Sequence, residues 1–393
     1  MKKNKIWVIL LVTGSIATTL FNACAPLREF GNTPAYEGNH PLSYDLPAYD
    51  SSKKTVVVVA NNKGTALFDM MAPFYLFNST GKANVYIVAK DTMPVVVKKG
   101  IFVKPQATFD QLDLMKISPD VIVIPFLAAA DSAQQDPVIL KWIRKKYSEK
   151  MYILAICDGA ATAAATGIFD GKPITAHASD FAGIKANFKK PSWVQHASYV
   201  NEGNLYSSAG VSNATEGSLA VINKLFGNET MKEVISDIHY PYALPKAEHQ
   251  SRCFRFSDKL AIGKKIIFRN NRNIGLLLED GMNEFDLAAV MDTYNRTFPG
   301  SIQSFSINDE PIKSKFGLTI IPSGKMGNTK LDELHVLNQN EIPAIEKEKF
   351  GNTEFVRYNN GKNQYIIEQC FDRIGKQYGD RFQYVVKLML DYN

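Results

Sequence analysis

Met151-Tyr152-Ile153-Leu154-Ala155-Ile156-Cys157-Asp158-Gly159-Ala160-Ala161-Thr162-Ala163-Ala164-Ala165-Thr166 is the stretch on which the fold turns. Its first half is an apolar run of strand length. Its second half is rich in alanine, the strongest helix former. One cysteine stands between them, followed by Asp158 and Gly159. A strand that turns abruptly into a helix needs small residues, because the backbones approach closely. The residue at such an elbow projects out of the sheet above the helix N-terminus, where exposed N–H groups and the helix dipole favour an anion. A thiol there is expected to be pushed toward thiolate. The competing reading is a buried structural cysteine at a strand end.

Around this stretch, short apolar runs alternate with amphipathic segments. Val56–Ala60 and Val85–Ala89 read as strands, with a helical pattern from Asp69 to Phe77 between them. Val95 to Val103, broken by Lys98-Lys99-Gly100, reads as a hairpin. Val121–Ile124 is a further buried run, and Asp136-Pro137 opens a helix with proline at its first position. Ile174-Thr175 is a short strand, and Leu205–Ala209 leads through Gly210 into a helix from about Ala214 to Leu225. The alternation predicts an α/β fold, a flavodoxin-like doubly wound parallel sheet with a nucleophile elbow. Sites in such sheets lie beyond the carboxyl ends of the strands, where Cys157, Pro125 and the loop after Ala60 all fall.

The chain has 393 residues and a formal net charge of +6. Lys2, Lys3 and Lys5 supply three of those charges, and without residues 1–23 the balance is +3. That is too little to argue for nucleic acid. The lysines precede an apolar run from Ile6 to about Leu20, the pattern of an export signal. Leu20-Phe21-Asn22-Ala23-Cys24 resembles the lipobox of bacterial lipoproteins, with Phe21 where leucine is usual, which implies lipidation at Cys24. A cleaved or uncleaved ordinary signal is the alternative. The expected location is therefore the bacterial cell envelope, as a lipid-anchored membrane protein facing the periplasm or the surface. Residues 24–53 lack periodicity and suit a tether. Cys157, Cys253 and Cys370 remain, so an oxidising compartment leaves at least one free thiol. A Cys253–Cys370 bridge is the intramolecular pairing left open, with Cys157 free.

Pro119-Asp120-Val121-Ile122-Val123-Ile124-Pro125, Asp136-Pro137, Trp142-Ile143-Arg144 and the cysteine elbow, in this order, resemble the ThiJ/PfpI (DJ/PfpI) superfamily of the class I glutamine amidotransferase-like fold. The likeness is strongest to the amidase-like domain of AraC-type regulators and to isocyanide hydratase. Thr166-Gly167-Ile168-Phe169-Asp170-Gly171-Lys172-Pro173-Ile174-Thr175-Ala176-His177 and Ser208-Ala209-Gly210-Val211-Ser212 match further segments there, so the resemblance covers about residues 55–226. It implies that Asp69, in Leu67-Phe68-Asp69, sits within hydrogen-bond reach of Cys157, and that His177 is a general base or orienting partner. Helix capping is the other role open to Asp69. Asp158 stands where threonine is usual. Its amide suits an oxyanion hole, while its carboxylate disfavours a thiolate. Glu216 is read as a cap of the last helix. Pro125-Phe126-Leu127 replaces the proline-glycine-glycine of relatives, which narrows the pocket, removes an oxyanion donor and disfavours hydrolysis.

Asn273 to Leu287 repeats the layout of Val56 to Met70, with Phe285-Asp286 against Phe68-Asp69. Ile302–Ile307 and Phe316–Pro322 track Val85–Ala89 and Ile101–Pro105. The organisation read from this is a signal peptide (1–23), a tether (24–53), a ThiJ/PfpI-like domain (54–250) and a second, shortened α/β repeat without an elbow cysteine (251–393). The repeat stands where AraC-type proteins carry their DNA-binding domain, which argues against nucleic acid. Two functions are open. One is a cysteine-dependent hydratase or amidase-type hydrolase acting on a small C–N compound, with Cys157 as nucleophile, Asp69 as acid and His177 as accessory. The other is a non-catalytic ligand-binding or redox-sensing envelope domain. No cofactor is implied and the six histidines lack metal-ligand spacing. The expected partners are a small-molecule ligand or substrate, the membrane through its lipid anchor, and a homodimer or internal pseudo-dimer.

Overall fold

Four consecutive valines, Val56 to Val59, build the middle of the main sheet, and all are fully buried. Val56 and Val58 join the core on one face, Val57 and Val59 the core on the other. A strand covered on both faces needs no polar alternation, hence the continuous apolar run. The computed structural model describes residues 26–27, 36–38, 48–97, 100–128, 135–325, 330–337, 350–358 and 364–392. The export segment, Cys24, most of the tether and Lys98-Lys99 lie outside the described residues. Among the described residues, no helix is long and apolar enough to cross a membrane.

The first half runs β1 (Lys54–Val59), α1 (Leu67–Ser79), β2 (Ala83–Ala89), β3 (Val95–Val97), β4 (Ile101–Val103), β5 (Ala107–Thr108), α2 (Phe109–Leu114) and β6 (Val121–Ile124). It continues through α3 (Pro137–Lys146), β7 (Tyr152–Ile156), α4 (Gly159–Ala165), β8 (Pro173–Ile174), α5 (Phe181–Asn187) and β9 (Ser192–Trp193). Strands β10 (Tyr199–Glu202) and β11 (Leu205–Ser208) and helices α6 (Ala214–Phe226) and α7 (Asn228–Asp237) complete it. Seven strands form a sheet in the order β10-β11-β7-β6-β1-β2-β5. Within it, β10 and β11 pair antiparallel and the other neighbours are parallel. Helix α3 starts as its sequence implies: the Asp136 carboxylate accepts the Val138 amide at 2.8 Å, with Pro137 in the first turn.

The second half contains α8 (Phe256–Phe268), β12 (Asn273–Leu278), α9 (Glu284–Asn295), β13 (Ser301–Ser306), β14 (Ile312–Lys313) and β15 (Thr319–Pro322). Then follow β16 (Glu333–Val336), β17 (Glu354–Arg357), α10 (Ile366–Tyr378) and α11 (Asp380–Leu390). Its sheet order, β13-β12-β16-β17, is parallel throughout and mirrors β2-β1-β6-β7. The halves share a large interface. Helix α1 packs on α9, and the rings of Phe68 and Phe285, which hold matching places in the two copies, meet edge to face at 5.1 Å. Strand β15 pairs antiparallel with β4, so the hairpins of both halves fuse into one four-stranded sheet. Like elements meeting like elements is the geometry of a two-fold contact. Gly379, at φ 91°, separates α10 from α11, so the pattern from Tyr365 to Leu390 resolves into two helices.

The cysteine pairing left open by the sequence is absent: Cys157, Cys253 and Cys370 are all free thiols. Cys253 is exposed, whereas Cys370 is sealed in the core on α10, which leaves the two nothing to bridge across.

Gly159 fixes how closely β7 and α4 can approach β6. A Cβ there would lie 2.1 Å from the Ile124 carbonyl oxygen and 2.7 Å from that of Pro125, both backbone atoms that cannot swing aside. Gly159→Ala is therefore expected to destabilise the chain by about 3 kcal/mol, read as a lowered urea midpoint at unchanged slope. A midpoint like that of the parent would refute the close packing.

Candidate active site

The elbow is strained where the chemistry would sit. Cys157 has φ 56°, the left-handed region that a residue with a side chain adopts only when its surroundings impose it. Strand pairing on one side and helix α4 on the other impose it here. The Cys157 amide donates to the Ser208 carbonyl at 3.1 Å, and its carbonyl accepts the Ala160 amide at 3.2 Å. The side chain is thereby aimed at the strand ends, and it is buried.

Asp69 lies in the first turn of α1, but it does not cap that helix. The N-cap position is Ala66, without a side-chain cap. The Asp69 carboxyl instead crosses to the end of β6, where Oδ2 accepts the Phe126 amide at 3.2 Å and Oδ1 has no hydrogen-bond partner of regular geometry. Fully buried, it neighbours the Cys157 thiol, and two groups of the second half, Asp292 and Arg296, reach it from α9. Burial, with Asp292 adding to it, raises the Asp69 pKa to about 8; the Phe126 amide, Arg296 and the thiol only partly oppose this. At neutral pH, Asp69 is a carboxylic acid holding a proton.

The thiolate expected from the helix N-terminus is not what this environment favours. Burial pushes the Cys157 thiol well above its usual range, and Asp69 and Asp158 push it further, while the Asp158 amide pulls only weakly the other way. Desolvation and two nearby carboxyl groups outweigh the dipole of a helix only seven residues long. Thiol and acid form a neutral resting pair whose protons are shared in titration.

His177 is placed differently from its expected role. Its Nδ1 lies 2.7 Å from Ser179 Oγ and its Nε2 3.4 Å from the Met389 carbonyl oxygen. Among the described residues no hydrogen bond joins it to Cys157. Burial lowers its pKa, so the ring is neutral at pH 7. Glu216 is buried in the first turn of α6, accepting the Tyr240 hydroxyl at 2.6 Å and the Asn213 side-chain amide at 3.4 Å, with burial raising its pKa. Of the amides that could serve an oxyanion, that of Phe126 is already engaged by Asp69.

Sequence reasoning missed what the second half adds. The turn Met389–Asp391 lies over the strand ends beside the elbow. Asp391 is 2 % exposed; its Oδ1 pairs with His249 Nε2 at 2.9 Å, its Oδ2 accepts the Ala178 amide at 3.4 Å, and its backbone carbonyl accepts Ser212 Oγ at 3.1 Å. Arg296 donates to Asp292 Oδ1 at 2.9 Å and to the Met389 carbonyl at 3.1 Å, tying α9 to this turn. Asp292 Oδ2 accepts the Phe68 amide at 3.0 Å, one residue before Asp69. No local spacing announces Asp292, Arg296 or Asp391, because each belongs to the site only through the packing of the halves.

Residues 53–224 of this chain, which hold the mostly parallel sheet, the strained cysteine elbow and the buried acid beside it, match the DJ-1/PfpI family. The chain thus carries a DJ-1/PfpI domain. Isonitrile hydratase of Pseudomonas putida is 25% identical over 189 residues, which cover 45% of this chain and 75% of that protein. Protein dj-1beta of Drosophila melanogaster is 28% identical over 124 residues, 31% of this chain and 65% of the relative. Two crystal structures are also similar. That of the Drosophila DJ-1beta aligns at TM-score 0.43 and 22% identity, covering 48% of this chain and 100% of that one. That of a ThiJ/PfpI family protein from Pseudomonas syringae aligns at TM-score 0.42 and 21% identity, covering 53% and 86%.

Two outcomes follow from the site. In the unfolded chain an aspartate ionises near about pH 3.9, so folding holds on to a proton that unfolding releases. The stability associated with neutral Asp69 is fully present below that pH and is lost as pH rises toward the folded value of about 8. Asp69→Asn, which stays neutral, is expected to melt with the parent near pH 4 and progressively above it up to pH 8. A melting difference independent of pH would show that Asp69 is ionised in the fold. Separately, a Cβ on Gly210 would lie 2.0 Å from Asp391 Cβ. Gly210→Ala should therefore displace the Met389–Asp391 turn and speed alkylation of Cys157 in the folded chain by roughly tenfold. An unchanged rate would mean that this turn does not shield the thiol.

Proposed function

We propose that this chain is a cell-envelope lipoprotein whose DJ-1/PfpI domain carries out cysteine-dependent hydration of a small C–N compound, an isonitrile being the first candidate. The observation that carries the reading is the strained Cys157 beside a buried Asp69 that keeps its proton up to about pH 8. An isonitrile carbon is electrophilic enough to accept sulfur and basic enough to need a proton at the same moment, and a thiol–carboxylic acid pair supplies both. Sγ bonds to that carbon while the thiol proton passes to it through Asp69, giving a thioimidate. Water adds across the C=N bond, its hydroxyl bonding to the same carbon and its other proton passing to nitrogen. The C–S bond then breaks as the hydroxyl proton returns to sulfur through Asp69, releasing the N-substituted formamide. The likeness to isonitrile hydratase supports the substrate class. His177 has no part in this scheme, since its ring is held by Ser179 and the Met389 carbonyl. Lys2, Lys3, Lys5, the apolar run after them and Cys24 support export and acylation.

A second reading, a non-catalytic ligand-binding or redox-sensing domain, is favoured by one arrangement. The Phe126 amide is engaged by Asp69, and Phe126-Leu127 brings bulk where relatives have glycines, which removes a donor from any oxyanion.

Formamide production from small isonitriles separates the two. Cys157→Ser should abolish turnover, and Asp69→Asn should lower kcat by about 100-fold or more while leaving KM within a few-fold. If the parent gives no formamide and its Cys157 alkylates only on unfolding, the catalytic reading fails and the binding reading stands. Mass analysis of the N-terminal peptide for acyl groups on Cys24 tests the anchor.

A further inference from the structure

Helix α8 buries one side and leaves the other bare. Asp258, Lys265 and Ile266 face inward, and the helix rests on α11. On the opposite side Phe256 is 76 % exposed, Leu260 57 % and Ile267 43 %. Their spacing of four and then seven residues places them in one line along the helix, with Gly263 between. Phe268, 74 % exposed, extends the apolar end. A single exposed leucine needs no explanation, but a line of three large apolar side chains with a further phenylalanine at its end does.

The rim of the stripe says what covers it. At 3.6 residues per turn, Lys259 and Lys264 fall on its two flanks. Both are exposed, and neither makes an ion pair among the described residues. The acid of this helix, Asp258, is 2 % exposed and salt-bridged to Arg381, so it does not neutralise the flanks. An apolar line edged by lysines on both sides is the form of a helix lying in a lipid interface. Its rings and branched chains enter the acyl boundary, and the lysine stems reach back to the phosphates. A second copy docked stripe to stripe would instead set lysines against lysines, which opposes that occupant.

We propose that α8 is a membrane-docking helix, lying on an anionic phospholipid surface with Phe256, Leu260 and Ile267 in the acyl boundary and Lys259 and Lys264 at the headgroup phosphates. Docking needs neither turnover at Cys157 nor the acyl chain at Cys24. On a chain tethered through Cys24, it would hold the folded body flat on the same bilayer, and two weak anchors together bind far more firmly than one.

The test uses the unacylated chain from Ala25 onward, which holds every packed element described above, so that the tether cannot contribute. It is sedimented with vesicles of phosphatidylcholine containing phosphatidylglycerol, and with vesicles of phosphatidylcholine alone. Binding to the anionic vesicles, weakened by salt, is expected. The triple change Phe256→Ser, Leu260→Ser and Ile267→Ser should lower the partition about tenfold or more, as should Lys259→Glu with Lys264→Glu. Should a variant misfold, slowed hydrogen exchange over residues 255–269 of the parent on adding anionic vesicles gives the same answer. Failure of the parent to bind anionic vesicles overturns the proposal. So does binding that survives both sets of changes. A parent that ignores vesicles but forms a dimer or takes up a soluble acidic partner through these residues also overturns it.

Discussion

Helix α1 has no polar face over most of its length: every residue from Leu67 to Phe77 is buried. A helix apolar all round must be covered all round, and one sheet face cannot do that. The main sheet and α6 cover part of α1, and the remainder is closed by α9 of the second half. The core is accordingly continuous: Val56 and Val58 of the first half belong to the same apolar cluster as Leu276, Phe285 and Leu287 of the second. The shortened repeat serves as the permanent partner of the first half, joined by the α1–α9 packing and by the β4–β15 pairing.

The same packing determines the chemistry of the elbow. Asp69 is carried by α1, so whatever covers α1 also desolvates Asp69. Helix α9 does so while presenting Asp292, which raises the acid further, and Arg296, which moderates it. Arg296 then reaches the Met389 carbonyl and links α9 to the turn over the strand ends. The result is a cysteine and an acid that rest neutral beside groups supplied by the chain's own second half. Isolated, the first half would expose α1, hydrate Asp69 and lose the groups that set its proton affinity.

Much of this was legible from residue types alone. The valine run of β1, the alanine-rich α4 and the Asp136-Pro137 start of α3 each follow from local preferences. Gly159 could be assigned from the tightness of a strand-to-helix turn, and the structure locates the atoms that demand it. Asp69 was legible as a neighbour of Cys157 through the family likeness. Its hydrogen bond to the Phe126 amide and its neutrality were not, because both arise from contacts between residues far apart in the chain. The thiolate expectation failed for the same reason: the helix dipole and the opposing Asp158 carboxylate are local features, but the desolvation and the Asp69 carboxyl that tip the balance come from the assembled fold. His177 was read from its place after α4, while its partners are Ser179 and a backbone carbonyl from the far end of the chain.

By itself, the sequence determined the order of strands and helices, the elbow at Cys157, the presence of a second copy of the βα layout and the acid that accompanies the cysteine. The elements, the elbow and the repeated layout rest on short-range periodicity and turn chemistry, which are properties of neighbouring residues, whereas the acid was assigned through the family likeness. Only the tertiary structure decided that the copies meet face to face, that Asp69 keeps its proton, that Asp391 with His249 closes the strand ends and that α8 presents its apolar line outward. Burial and charge coupling depend on which distant segments come within a few ångströms, and no local pattern encodes that distance.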